Sequence, residues 1–133
     1  MAETRLKRAK RLLEVQEQMK RLEEARVAGL QIRQSEIATL QEEMVTALNR
    51  DDSPSGLMVT AIVRRLKSLN EEVARNAEEL KRRMAELQTH AGRAKWAERR
   101  FQDYEQQATR IRTQKELLDL IERIITPKDA SLP

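Results

Sequence analysis

From Pro54 to Ile125 the sequence runs for about 70 residues without an internal proline, and its apolar residues recur in a heptad rhythm. Val59, Ile62, Leu66, Leu69 and Val73 begin the stripe, and Leu80, Leu87, Ala94, Ala97, Phe101, Tyr104, Ala108, Ile111, Leu118 and Ile125 continue it. Alternating steps of three and four keep one face of an α-helix turned toward a partner helix, the repeat that produces coiled-coil packing. Such a helix would be roughly 105 Å long at about 1.5 Å per residue. It needs another helix along its seam.

Composition excludes most alternatives. Aromatic residues are 2% of the 133, charged residues are 36%, and there are three glycines and three prolines. These proportions belong to long helices, whose thin seam leaves no room for an enclosed active site, so the sequence predicts no enzyme and no cofactor. There are no cysteines and one histidine, His90, which leaves no zinc ligand set and no thiol chemistry. No apolar run approaches the ~20 residues of a membrane span, and Met1 to Arg8 lacks the apolar stretch of a secretory signal. The expectation is a cytoplasmic protein.

A first helix is expected from about residue 4 to 48, with a stripe of Leu12, Val15, Met19 and Leu22 followed by Leu30, Ile37, Leu40, Met44 and Ala47. Between Leu22 and Leu30 the step is too long by one, a disturbance that puts Arg26 on the seam and locally unwinds a supercoil. Residues 49–56 are turn formers. Ser53 and Pro54 suit the N-cap and first position of a second helix from about 54 to 126, and residues 127–133 form a tail. A short connection between long amphipathic helices makes them antiparallel. The expected fold is a single all-α, long antiparallel two-helix coiled-coil hairpin over residues 1–133, its second helix longer than its first. The alternative is three helices, with a break at His90-Ala91-Gly92; a lone glycine without proline argues against it.

With the tip near Ser53, residue i of the first helix faces roughly residue 104 minus i of the second. Between Leu69 and Ala94 the apolar face slides by one position to Ala77, Met84 and Ala91, leaving Asn76, Arg83 and His90 at the seam edge. The same pairing gathers Arg93, Lys95, Arg99 and Arg100 beside Arg5, Lys7, Arg8, Lys10 and Arg11 at the open end. Residues from about Asp103 to Ile125 would overhang the first helix, exposing Leu117, Leu118, Leu120, Ile121, Ile124 and Ile125. An apolar face without a cover implies a partner.

Candidate sites follow from these placements. The adjacent glutamates Glu23-Glu24, Glu42-Glu43, Glu71-Glu72 and Glu78-Glu79 diverge on a helix and read as solvated positions. Gly29, Gly56 and Gly92 are isolated, so no phosphate loop exists. Nucleic acid is disfavoured because residues 1–95 carry no base-stacking aromatic. Trp96, Phe101 and Tyr104 are the only aromatics; the latter two fall on the seam, while Trp96 lies on the outward face beside Lys95 and Arg99. Tryptophan and arginine are enriched at binding hot spots. The partner-binding candidates are therefore Arg5, Arg8, Lys95, Trp96, Arg99, Leu117, Ile121 and Ile124.

The basic opening Arg5-Leu6-Lys7-Arg8, the break near position 50, the longer second helix, and the run from Ala97-Glu98-Arg99-Arg100 through Gln114-Lys115-Glu116-Leu117-Leu118-Asp119 resemble the flagellar FliJ and injectisome YscO family of type III export machines. Flagellar members often carry aromatics on the first helix toward the tip, whereas Ser35 to Leu48 has none. The resemblance implies a stalk that engages the hexameric export ATPase and couples it to the membrane export gate, or an escort for export chaperones, acting as a monomer or weak homodimer. A different class of function, a self-associating cytoplasmic scaffold whose overhangs pair between two chains, fits the same pattern.

Overall fold

The computed structural model describes residues 1–50 and 55–126. It contains two helices, α1 (Ala2–Leu48) and the longer α2 (Gly56–Ile125), and no strand among the described residues. The fold is an all-α antiparallel pair. Both helices run without interruption, through Gly29 and through Gly92, where a side chain would meet nothing within 4 Å. The three-helix alternative is thereby excluded. Ser53 and Pro54 lie outside the described residues, as does the tail 127–133. The N-cap of the described helix is instead Ser55, whose Oγ accepts the amide of Met58 at 3.2 Å while its carbonyl accepts the amide of Val59 at 3.0 Å.

The described chain divides into two units, one formed by residues 18–91 and the other by residues 1–17 with the part of α2 from residue 92 onward. In the first, one α1 series turned away from water is Lys20, Glu23, Val27, Leu30, Gln34, Ile37, Gln41, Met44 and Leu48, flanked by half-buried Arg33, Leu40 and Ala47. The α2 series is Ile62, Leu66, Leu69, Val73, Asn76, Leu80, Arg83, Leu87 and His90, flanked by half-buried Val59, Glu72, Glu79 and Ala91. Ile37 and Leu69 are fully buried. Both sets keep alternating steps of three and four without a skip.

Two expectations fail here for one reason. On α1 the seam does not pass through Met19 and Leu22, which are exposed, and the disturbance at Arg26 does not exist. On α2 the face does not slide at Ala77 and Met84, which point to solvent, while Asn76, Arg83 and His90 occupy seam positions; of the three residues expected on the shifted face only Ala91, next to His90, is half-buried. Keeping one phase lets both helices supercoil uniformly, whereas an inserted residue would unwind the pair. Continuity of phase outweighed the local gain from burying a few more apolar side chains.

Polar partners make this continuity tolerable. Glu23, expected to be solvated, is only 3% exposed. Its Oε1 accepts Arg26 Nη1 at 2.6 Å and Arg83 Nη1 at 3.3 Å, and Arg83 also reaches Glu79 at 3.0 Å and Glu86 at 3.3 Å. Asn76, 8% exposed, donates to the Leu30 carbonyl at 3.0 Å and to Gln34 Oε1 at 3.2 Å. Arg33 pairs with Glu72 at 2.7 Å, a hydrogen bond that raises the guanidinium pKa above its ordinary value. Buried polar groups are stable only when paired in this way.

These contacts also fix the register. Arg33 meets Glu72 and Glu23 meets Arg83, where the sequence alone places about residues 71 and 81 opposite them. The difference of one or two residues lies within the precision of placing the tip from sequence, since a pairing centred on residue 53 already puts about residue 106 minus i opposite residue i.

Candidate docking surface

The other unit holds the N-terminal turns of α1 and the C-terminal part of α2. Its inward positions are Ala2, Leu6, Ala9, Leu13 and Gln16 on α1, with Ala94, Ala97, Phe101, Tyr104 and Ala108 on α2. Leu12 and Val15, expected on the seam, are exposed. Alanines at Ala9, Ala94, Ala97 and Ala108 are buried, so the helices meet here over small side chains. Phe101 and Tyr104 stand on the seam as expected, half-buried.

A cleft of about 240 Å³ opens between the two helices of this unit, lined by Arg5, Arg8, Ala9, Leu12, Trp96, Arg100 and Tyr104. Arg100 organises it. Its guanidinium lies 5.0 Å from the centre of the Trp96 ring and 5.3 Å from that of Tyr104, and its Nη2 donates to Tyr104 Oη at 2.9 Å. The three residues are spaced by four on one helix, which places them on a single face. A cation held over two aromatic faces is attracted by their quadrupoles, which holds the guanidinium in place. Trp96, expected on the outward face, lines the cleft between the two helices instead and is 54% exposed there.

Arg5 and Arg8, picked out from the sequence, line this cleft with Trp96. Lys95 and Arg99 do not: they are exposed on α2 away from the lining. The residue that accompanies the tryptophan is Arg100, one turn along the same helix face, where the sequence points to Lys95 and Arg99. The i, i+4 spacing of Trp96, Arg100 and Tyr104 was the available signal. No ion pair among the described residues involves Arg5, Arg8 or Arg100, so the cleft presents three guanidinium groups to one opening.

Beyond the cleft, Met1, Ala2, Glu3 and Thr4 lie across a second hollow from Ala108, Ile111, Arg112 and Lys115. The start of α1 therefore reaches farther along α2 than residue 101, and the overhang begins after about Lys115 rather than at Asp103. This corrects its length and leaves its apolar content intact. Leu117, Ile121 and Ile124 are exposed together with Leu118, Leu120 and Ile125, from 40% at Ile121 to 71% at Ile125.

Among the described residues no cluster of acidic groups and histidine could hold a metal ion, and no helix is long and apolar enough to cross a membrane. Fold and surface together define an antiparallel two-helix coiled coil with an arginine-rich aromatic cleft and an uncovered apolar helix end. No protein-family model matches the chain, and neither a curated protein nor a solved structure matches it.

Proposed function

We propose that this chain is a non-enzymatic docking protein, a coiled-coil stalk of a type III protein export apparatus. It engages the hexameric export ATPase in the cytoplasm and links it to the export gate or to export chaperones. The machinery is named by the resemblance of the sequence. The physical support is that a single unit carries both a cleft with Arg5, Arg8 and Arg100 around Trp96 and, roughly 20 Å further along α2, a helix end with six exposed leucines and isoleucines.

Such a surface suits a partner that is both acidic and apolar. The guanidinium groups recruit carboxylates by long-range attraction, and the ring and aliphatic side chains supply the area that holds the complex. Capture of the purified export ATPase by the full chain tests the reading. Arg5→Glu with Arg8→Glu, or Leu117→Gln with Ile121→Gln and Ile124→Gln, should abolish capture with helicity by circular dichroism unchanged. Undiminished capture by both sets would refute it. Trp96→Ala should weaken binding by about 2 kcal/mol if the ring is the anchor of the interface.

A further inference from the structure

We propose that the exposed C-terminal end of α2 pairs with the same segment of a second copy of this chain, antiparallel, about a two-fold axis between Asp119 and Leu120. Around the helix, at about 100° per residue, Leu120, Ile124, Leu117, Ile121, Ile125 and Leu118 follow one another over roughly 160° of circumference. All six are exposed. Within this face Gln114, Leu118, Ile121 and Ile125 repeat at steps of four, three and four, a seam of their own.

The margins of that seam differ, and the difference selects the occupant. One margin carries Lys115 and Glu122, one heptad apart; the other carries Leu117 and Ile124, also one heptad apart. Antiparallel helices meet along like margins and parallel helices along unlike ones. In the antiparallel pair Lys115 faces Glu122 of the second copy and Glu122 faces its Lys115. On the other side Leu117 faces Ile124, and along the seam Leu118 faces Ile121. In a parallel pair the same two charges would lie against leucine and isoleucine. Opposite charges across helices set partner choice and orientation, and this short pattern complements itself in one orientation only.

The neighbouring structure leaves the apolar part of this face open, with Lys115 at its border against the first turn of α1. The start of α1 lies beside Ala108, Ile111, Arg112 and Lys115, and Leu117 to Ile125 extend past it. Among the described residues no ion pair engages Lys115 or Glu122. The pairing is isologous, as a two-fold interface requires. It is also short, so dimerisation falls in the micromolar range typical of small contacts.

Sedimentation equilibrium of the full chain from about 5 to about 500 µM tests this. The wild-type chain should pass from monomer to dimer across the range. Lys115→Glu and Glu122→Lys should each weaken self-association roughly tenfold, because every dimer then holds two repelling pairs in place of two attracting ones. An equimolar mixture of the two variants should dimerise again, and so should the chain carrying both changes, since each restores opposite charges across the axis. Circular dichroism of every variant should match the wild type. A wild-type chain that stays monomeric, variants that associate like the wild type, or a double variant that stays weak would each overturn the proposal. Leu117, Ile121 and Ile124 are also the residues offered to the export ATPase, so the second copy and the ATPase would compete for this face; because the measurement uses this chain alone, its failure is distinguishable from a failure of ATPase capture.

Discussion

Glu23 offers the sharpest test of the seam. It is a carboxylate at a core position with one oxygen bonded to two arginines and the other, Oε2, buried without a hydrogen-bond partner. Replacing it by leucine removes the unpaired oxygen, a gain of about 1–3 kcal/mol. The lost bond to Arg83 costs about 1.5 kcal/mol, and Arg83 keeps Glu79 and Glu86. Arg26, with 46% of its side chain exposed, turns to water at a cost of about 0–1 kcal/mol. The leucine also adds to the apolar contacts of the seam, so Glu23→Leu should be stabilising by about 1 kcal/mol, within the range found when buried ion pairs become apolar. Arg83→Leu works in the other direction. It strips one donor from a carboxylate that stays buried and should destabilise by about 1–3 kcal/mol, less than the cost of removing an only partner because Arg26 stays bonded. Urea unfolding followed at 222 nm measures both, with m unchanged if the compact state is preserved. If Glu23→Leu is as destabilising as Arg83→Leu, the pair contributes net stability and the reasoning from desolvation is refuted.

The choice of face on α1 is equally open to measurement. Replacing Leu12, Val15, Met19 and Leu22 one at a time by glutamine should change stability by no more than about 0.5 kcal/mol each, as for surface positions, whereas Ile37→Ala should cost about 2–5 kcal/mol; comparable losses at both sets would restore the stripe with the interrupted phase. Ser55→Ala should cost about 1 kcal/mol through loss of its bond to the Met58 amide, read as a lower urea midpoint that Ser55→Asp recovers.

Much of the fold was legible because it depends on local periodicity. A heptad repeat over α2 and a cluster of turn formers after Leu48 are enough to dictate two antiparallel helices, and the composition leaves no material for another core. Arg5, Arg8 and Trp96 were legible as well, since a hairpin brings those segments to one end whatever its exact register. Arg100 was not. Its role depends on distances to Trp96 and Tyr104 around the helix, whereas proximity along the chain favours Lys95 and Arg99.

By itself, then, the sequence determined the all-α class, the antiparallel arrangement, the greater length of α2 and the uncovered apolar end from Leu117 to Ile125. Each follows from spacing and from helix geometry, which are properties of a single strand of chain. Only the tertiary structure decided which face of α1 is inside. Two stripes compete there, one richer in leucine, valine and methionine, the other containing Gln16, Lys20 and Glu23. Hydrophobicity alone favours the first. The second prevails because it keeps phase with Val27, Leu30 and Ile37, and because α2 supplies Arg83 for Glu23 and Asn76 for the Leu30 carbonyl. A polar side chain is costly in a seam until its partner is known, and the partner is sixty residues away along the chain.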